Sequence, residues 1–153
     1  MTRSEKALEY FMAGYNCAQS ITLAFADLLP VDEKTISTLA CSFGGGVGRL
    51  REVCGALSGA VMVLGLLYGY DGPETGDVKL AQYERVQTLG KRMEEKWGTI
   101  VCRELLDVVG HDDPKPSERN AEYYAARPCA RIVENVAALL EDYLKELGDK
   151  DNA

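Results

Sequence analysis

The chain has 153 residues, enough for one domain with a buried core, and its 46% hydrophobic and 27% charged residues are the balance of a globular protein rather than a disordered one. Seventeen Lys and Arg against 24 Asp and Glu leave a net charge of -7, which argues against nucleic acid or an anionic membrane surface as partner, since both call for a basic footprint. The single histidine, His111, rules out a three-histidine metal site within one chain and weakens any Ser-His-Asp proposal.

The opening MTRSEKALEYFMAGYN has no basic segment followed by an apolar one, so no secretory signal is expected and the chain is read as cytoplasmic. In that compartment five cysteines, an odd number, do not suggest a structural disulfide framework. Residues 53–69 are uncharged but glycine-rich and at the lower limit for a membrane span, so a buried central helix is expected there.

A first helix is predicted over Ser4–Met12, with Thr2 and Glu5 spaced as a capping box. Asn16 is placed to cap a second helix running to about Leu29, where Pro30 ends it, and Asp32 to cap a third over Glu33–Ser42. Gly44, Gly45, Gly46 and Gly48 read as a flexible break before a long apolar helix from about Arg51 to Tyr68. No strand precedes these glycines and no GK[ST] follows, so a turn that positions Cys54 is favoured over a nucleotide loop.

Beyond the YDGPETG turn, Asp77 opens a long amphipathic helix that Gly98 stops. Thr99 is placed to cap a short helix through Val109, and GHDDPKPS is a polar loop in which Asp112 and Asp113 read as solvated. Pro128 suits the first position of a last helix reaching Leu147, with Gly148 as its stop. No alternating strand pattern, repeat or linker is found. The expectation is one all-α domain over 1–153, a compact bundle of about six or seven helices around a central Gly-rich apolar helix.

The cysteines lack any CxxC, so no thioredoxin-like site or zinc ribbon is written locally. Four of them, Cys17, Cys54, Cys102 and Cys129, instead fall at or near predicted helix starts, where unpaired N–H groups and the helix dipole favour a thiolate. Arg49, Arg51, Arg103, Arg127 and Arg131 lie within five residues of Cys54, Cys102 or Cys129. Cys41 sits late in a helix and is expected to be inert. The bland alternative for any one of these cysteines is a small hydrophobe filling a core gap.

CGALSG at Cys54–Gly59, with Cys17 upstream and Cys102 and Cys129 downstream, resembles the C_GCAxxG_C_C family of redox-active proteins. FGGGVGR before the motif, VMVLGLLYG after it and the CREL segment are also similar to that family. The resemblance spans roughly Cys17 to Cys129 and implies redox activity carried by Cys17, Cys54, Cys102 and Cys129, with Cys41 outside the set.

Two chemistries fit these residues. In thiol–disulfide exchange Cys54 is the expected nucleophile, because the glycine break leaves it open and Arg49 and Arg51 are near, with Cys17, Cys102 or Cys129 resolving. Alternatively the four cysteines hold an iron–sulfur cluster or zinc, although separations of 37, 48 and 27 residues leave the fold to assemble the site. A third reading has CGAxxG only as a packing motif: Gly55, Gly59 and Gly65 would admit another helix closely, either from the same chain or from its copy in a homodimer.

Overall fold

A computed structural model describes residues 1–151 and shows an all-α bundle, with eight right-handed α-helices among the described residues and no strand. Helix α1 (Arg3–Met12) begins with the expected capping box, in which Thr2 accepts from Glu5 N and the Glu5 carboxylate accepts from Thr2 N. Asn16 and Gln19 form a second such box at the start of α2 (Cys17–Ala24). This helix stops short of Leu29 and tightens into a 3-10 turn at Ala26–Leu28. Thr22 Oγ1 bonds back to the carbonyls of Ala18 and Gln19, a contact that loosens a helix, and Phe25 is fully buried where the axis turns. Asp32 caps α3 (Glu33–Ala40), which ends in a 3-10 turn at Cys41–Phe43 rather than running on to Ser42.

The glycine run is not a flexible break. Gly45, Gly46, Val47, Gly48 and Arg49 all have positive φ, so the chain winds left-handed for five residues, and Arg51 returns to positive φ at 60°. Gly46 accepts from Glu52 N at 2.9 Å and Gly45 from Arg51 N at 3.1 Å, which fixes the winding. This conformation also corrects the start of the apolar helix: residues 51–53 are not helical, and α4 is Gly55–Tyr68 with Cys54 at its N-cap. Residues 52–54 instead pair with 100–102 through the antiparallel Val53–Val101 bridge.

Helix α5 (Gly76–Trp97) ends at Gly98, which takes φ 84° as the sequence led one to expect. Pairing with residues 52–54 keeps 100–101 extended, so Thr99 does not cap a helix to Val109. The next helix is only Cys102–Leu105 (α6), Val101 occupies its N-cap, and Asp107 leaves the helix with φ 55°. Asn120 caps α7 (Ala121–Ala126), which ends before Pro128 because the residue preceding a proline disfavours helix. The last helix, α8 (Cys129–Asp151), runs through Gly148 instead of stopping there. A Gly interior to a helix costs only about 1 kcal/mol, and a Cβ added at this one would meet nothing within 4 Å.

Helix α4 lies at the centre, packed on α2, α5 and α8, while α1 lies along α8. The close approach to α4 is made by α2. A Cβ on Gly59 would sit 2.7 Å from Ala18 O, and one on Gly55 would sit 2.7 Å from Phe43 O and 3.2 Å from Cys17 Cβ. The glycine face is thus occupied within the chain at Gly55 and Gly59, so it supplies no argument for a homodimer, and a Cβ added at Gly65 would meet nothing within 4 Å. Leu57, Val63, Leu64, Leu89, Met93, Val133 and Leu140 join one continuous core. No helix among the described residues is long and apolar enough to cross a membrane.

Candidate functional site

Each of the four spaced cysteines stands at the beginning of a helix. Cys17, Cys102 and Cys129 are the first residues of α2, α6 and α8, and Cys54 caps α4. Backbone pairing joins two of these starts: Cys54 N donates to Ile100 O at 2.8 Å, and Cys102 N donates to Glu52 O at 2.6 Å. Gly46 makes room for Cys102, whose Cβ would lie 2.6 Å from any Cβ added there. Gly55 makes room for Cys17 in the same way. As a result Cys17, Cys54, Cys102 and Cys129 line one small cavity of about 30 Å³, together with Arg51, Tyr123 and Arg127. Residues far apart in sequence meet because their helix ends converge.

The thiols differ in character. Cys17 and Cys129 stand on the same cavity, and each shifts the titration of the other. The neighbouring Cys129 thiol, with burial second, raises the Cys17 thiol well above the ordinary range. Cys17 is in turn the main influence lowering Cys129; against the opposing effect of burial, the charges of Arg127, Arg51 and Arg119 add to it, and the thiol falls to about 7. Position at the first residue of a 23-residue helix favours the thiolate further. All five cysteines are free thiols.

Cys54 differs from the sequence expectation. It is buried at 6% exposure, not left open by the glycines, and burial pushes its thiol up to about 12. Neither of its neighbouring arginines bonds to it. Arg51 places Nη1 3.6 Å from Cys102 Sγ, and Arg49 donates to Asp113 O and Ser117 Oγ. Burial raises the Cys102 thiol, and Arg51 opposes that shift. Cys41 is exposed and lies outside this cavity.

Arg51 is the feature of this cavity that sequence reasoning undervalued. Only 2% exposed, it donates from Nε to Asp112 Oδ2 at 2.7 Å and from Nη1 to Cys102, while its buried Nη2 has no hydrogen-bond partner. Asp112 is therefore not simply solvated: with Asp112 N donating to Arg49 O, it pins the 107–117 loop over the glycine run. Tyr123 borders the cysteine cavity, whereas Tyr124 packs edge-on against Phe11. Arg103 turns toward Glu52, and Arg131 is exposed. His111 is exposed beside Glu52. The arginine excess around the cysteines was visible in the sequence, but no local pattern marked which one would be buried.

Four thiols around one cavity permit dithiol chemistry. Among the described residues no group of three or more His, Cys, Asp or Glu is arranged so that it could hold a metal ion. No match was found among curated proteins or among solved structures. The C_GCAxxG_C_C family, described as "Putative redox-active protein", matches residues 15–143, a span that contains all four cysteines of the cavity, and the chain belongs to that family.

Proposed function

We propose that this is a thiol–disulfide redox protein in which Cys129 attacks and Cys17 resolves. The observation that carries the reading is the placement of Cys17 and Cys129, each the first residue of its helix, on one cavity with Arg51 and Arg127, the Cys17 thiol raised and the Cys129 thiol lowered to about 7. The Cys129 thiolate attacks one sulfur of a substrate disulfide. The S–S bond breaks, its electron pair leaves with the departing thiolate, and Cys129 is held in a mixed disulfide. The departing thiolate takes the Cys17 proton. Cys17 then attacks Cys129 Sγ and expels the second substrate thiolate, which takes a proton from water. The protein dithiol is oxidised by two electrons and the substrate disulfide is reduced to two thiols.

Cys54 and Cys102 form a second dithiol on the same cavity, suited to exchange with the first pair. Free thiols fit a reducing compartment such as the cytoplasm. Iron–sulfur or zinc binding by the same four cysteines is the competing reading.

The test is oxidation of protein purified without oxygen by a small-molecule disulfide, with peptide mapping of the product and metal content measured beforehand. A Cys17–Cys129 disulfide formed first supports the reading. Zinc or iron at one site per chain that is lost on Cys129→Ser replacement, or a first disulfide that omits Cys129, overturns it.

A further inference from the structure

Beside the cysteine cavity lies a second, larger hollow of about 270 Å³, and the two share Gly45, Arg51, Tyr123 and Arg127 in their walls. Four arginines line it, Arg49, Arg51, Arg119 and Arg127, and no acidic residue does. In a chain of net charge -7 that is a local inversion of sign.

The arginines are held in place by contacts that leave their charge largely uncompensated. Arg119 donates to the carbonyls of Phe11 and Tyr15 and lies over the rings of Phe11 and Tyr123. Arg127 lies 4.4 Å above the Tyr123 ring and donates to Ser117 Oγ. Neither has a carboxylate partner among the described residues, and Arg49 and Arg51 share a single one, Asp112. The buried Nη2 of Arg51, without a partner of its own, is a donor lacking an acceptor, and leaving such a group unpaired is costly.

We infer that this hollow is a binding site for a small oxyanion, a phosphate- or sulfate-type group or a short carboxylate, taken up by arginine forks. Planar guanidinium groups recognise such oxygens in pairs. The volume suits a compact anion rather than a nucleotide, and the glycine run along one wall lets the ligand approach the backbone. The site stands on the arginines and goes beyond the redox reading, since it requires no thiol to react. A ligand bound there would share Arg51 and Arg127 with the cavity that Cys102 and Cys129 line.

Titration calorimetry of the reduced protein with sulfate, phosphate and malonate, at ionic strength held constant with chloride, tests the inference. Saturable binding of one anion per chain is expected. Arg127→Gln should weaken it roughly tenfold or more, while Arg103→Gln, outside the hollow, leaves it unchanged. Preference for sulfate or phosphate over malonate assigns a tetrahedral ligand, and the reverse order a carboxylate; both uphold the site.

If Arg127→Gln does not fold, phenylglyoxal modification of the wild-type protein replaces that comparison, with protection of Arg127 and Arg49 by the bound anion expected. The inference fails if there is no saturable binding above the chloride background, if Arg127→Gln binds as wild type, or if the anion leaves both arginines unprotected. Bound anion with unreactive thiols would overturn only the redox reading, and reactive thiols without anion binding would overturn only this one.

Discussion

Arg51 Nη1 lies 3.6 Å from Cys102 Sγ inside the protein, so a single buried guanidinium connects the thiol cavity to the loop that covers it. Its Nε bond to Asp112 is the other end of that connection. The Arg51 bond holds the Asp112 carboxyl below its usual value of 3.8, with the charges of Arg51 and Arg49 adding to it. A group lowered in the folded state contributes stability that is present above its unfolded value and lost as pH falls through the folded one. Asp112→Asn should therefore lower the urea midpoint at pH 7, and the two proteins' midpoints should converge as pH falls below about 4. A difference that stays constant down to pH 2 would show that the pair is not what pins the loop.

The Cys129 thiol, lowered to about 7, should show an alkylation rate that climbs through neutral pH and levels above it. At pH 7 its thiolate fraction is about fifteenfold that of an ordinary cysteine titrating near 8.5. Lower basicity takes back about fivefold in nucleophilicity, so a net advantage of about threefold is expected before access is considered. Iodoacetamide labelling across pH 5–10 with peptide mapping measures this directly. Cys54, with its thiol at about 12, should stay unlabelled until the protein unfolds.

Because the neighbouring Cys17 thiol is the largest influence lowering Cys129, Cys17→Ala should move the Cys129 midpoint upward. Arg127, Arg51 and Arg119 remain in that variant, so the midpoint should stop short of the value of an isolated thiol. Cys41→Ser, outside the cysteine cavity, should leave it unchanged. An unmoved midpoint in Cys17→Ala would mean that the arginines and the helix start alone set the Cys129 thiol.

What the sequence disclosed and what it hid follow the range of the interactions concerned. Thr2, Asn16, Asp32 and Gly98 act within one helical turn, and the helix ends they mark are those the structure shows. Cys17, directly after the Asn16 cap, was legible at a helix start for the same reason, whereas the starts at Cys54 and Cys102 were expected a few residues early because the pairing of 52–54 with 100–102 sets them. Arg51 was not. Its burial depends on the pairing of residues 52–54 with 100–102 and on Asp112, contacts of more than forty residues' separation. The glycine run was misread as loose because glycine's freedom in the unfolded chain is what allows it to be fixed left-handed here. Cys54 was expected to be open on the strength of that same misreading.

Two glycine-to-alanine changes separate fixed from tolerant backbone. At Gly46 the φ of 66° is unfavourable to any side chain, and the added Cβ would lie 2.6 Å from Cys102 Cβ and 2.7 Å from Glu52 N. Left-handed strain and overpacking together should cost about 2–4 kcal/mol. The backbone that must yield carries Cys102, so its labelling rate should rise as the cavity loosens. Gly65 is exposed in the middle of α4 with nothing within 4 Å of a new Cβ. Gly65→Ala should stabilise by up to about 1 kcal/mol, through helix propensity and a less flexible unfolded chain. Chemical denaturation of the two variants beside wild type tests both signs at once. A Gly46→Ala protein as stable as wild type would mean that the left-handed turn does not hold Cys102 at the cavity.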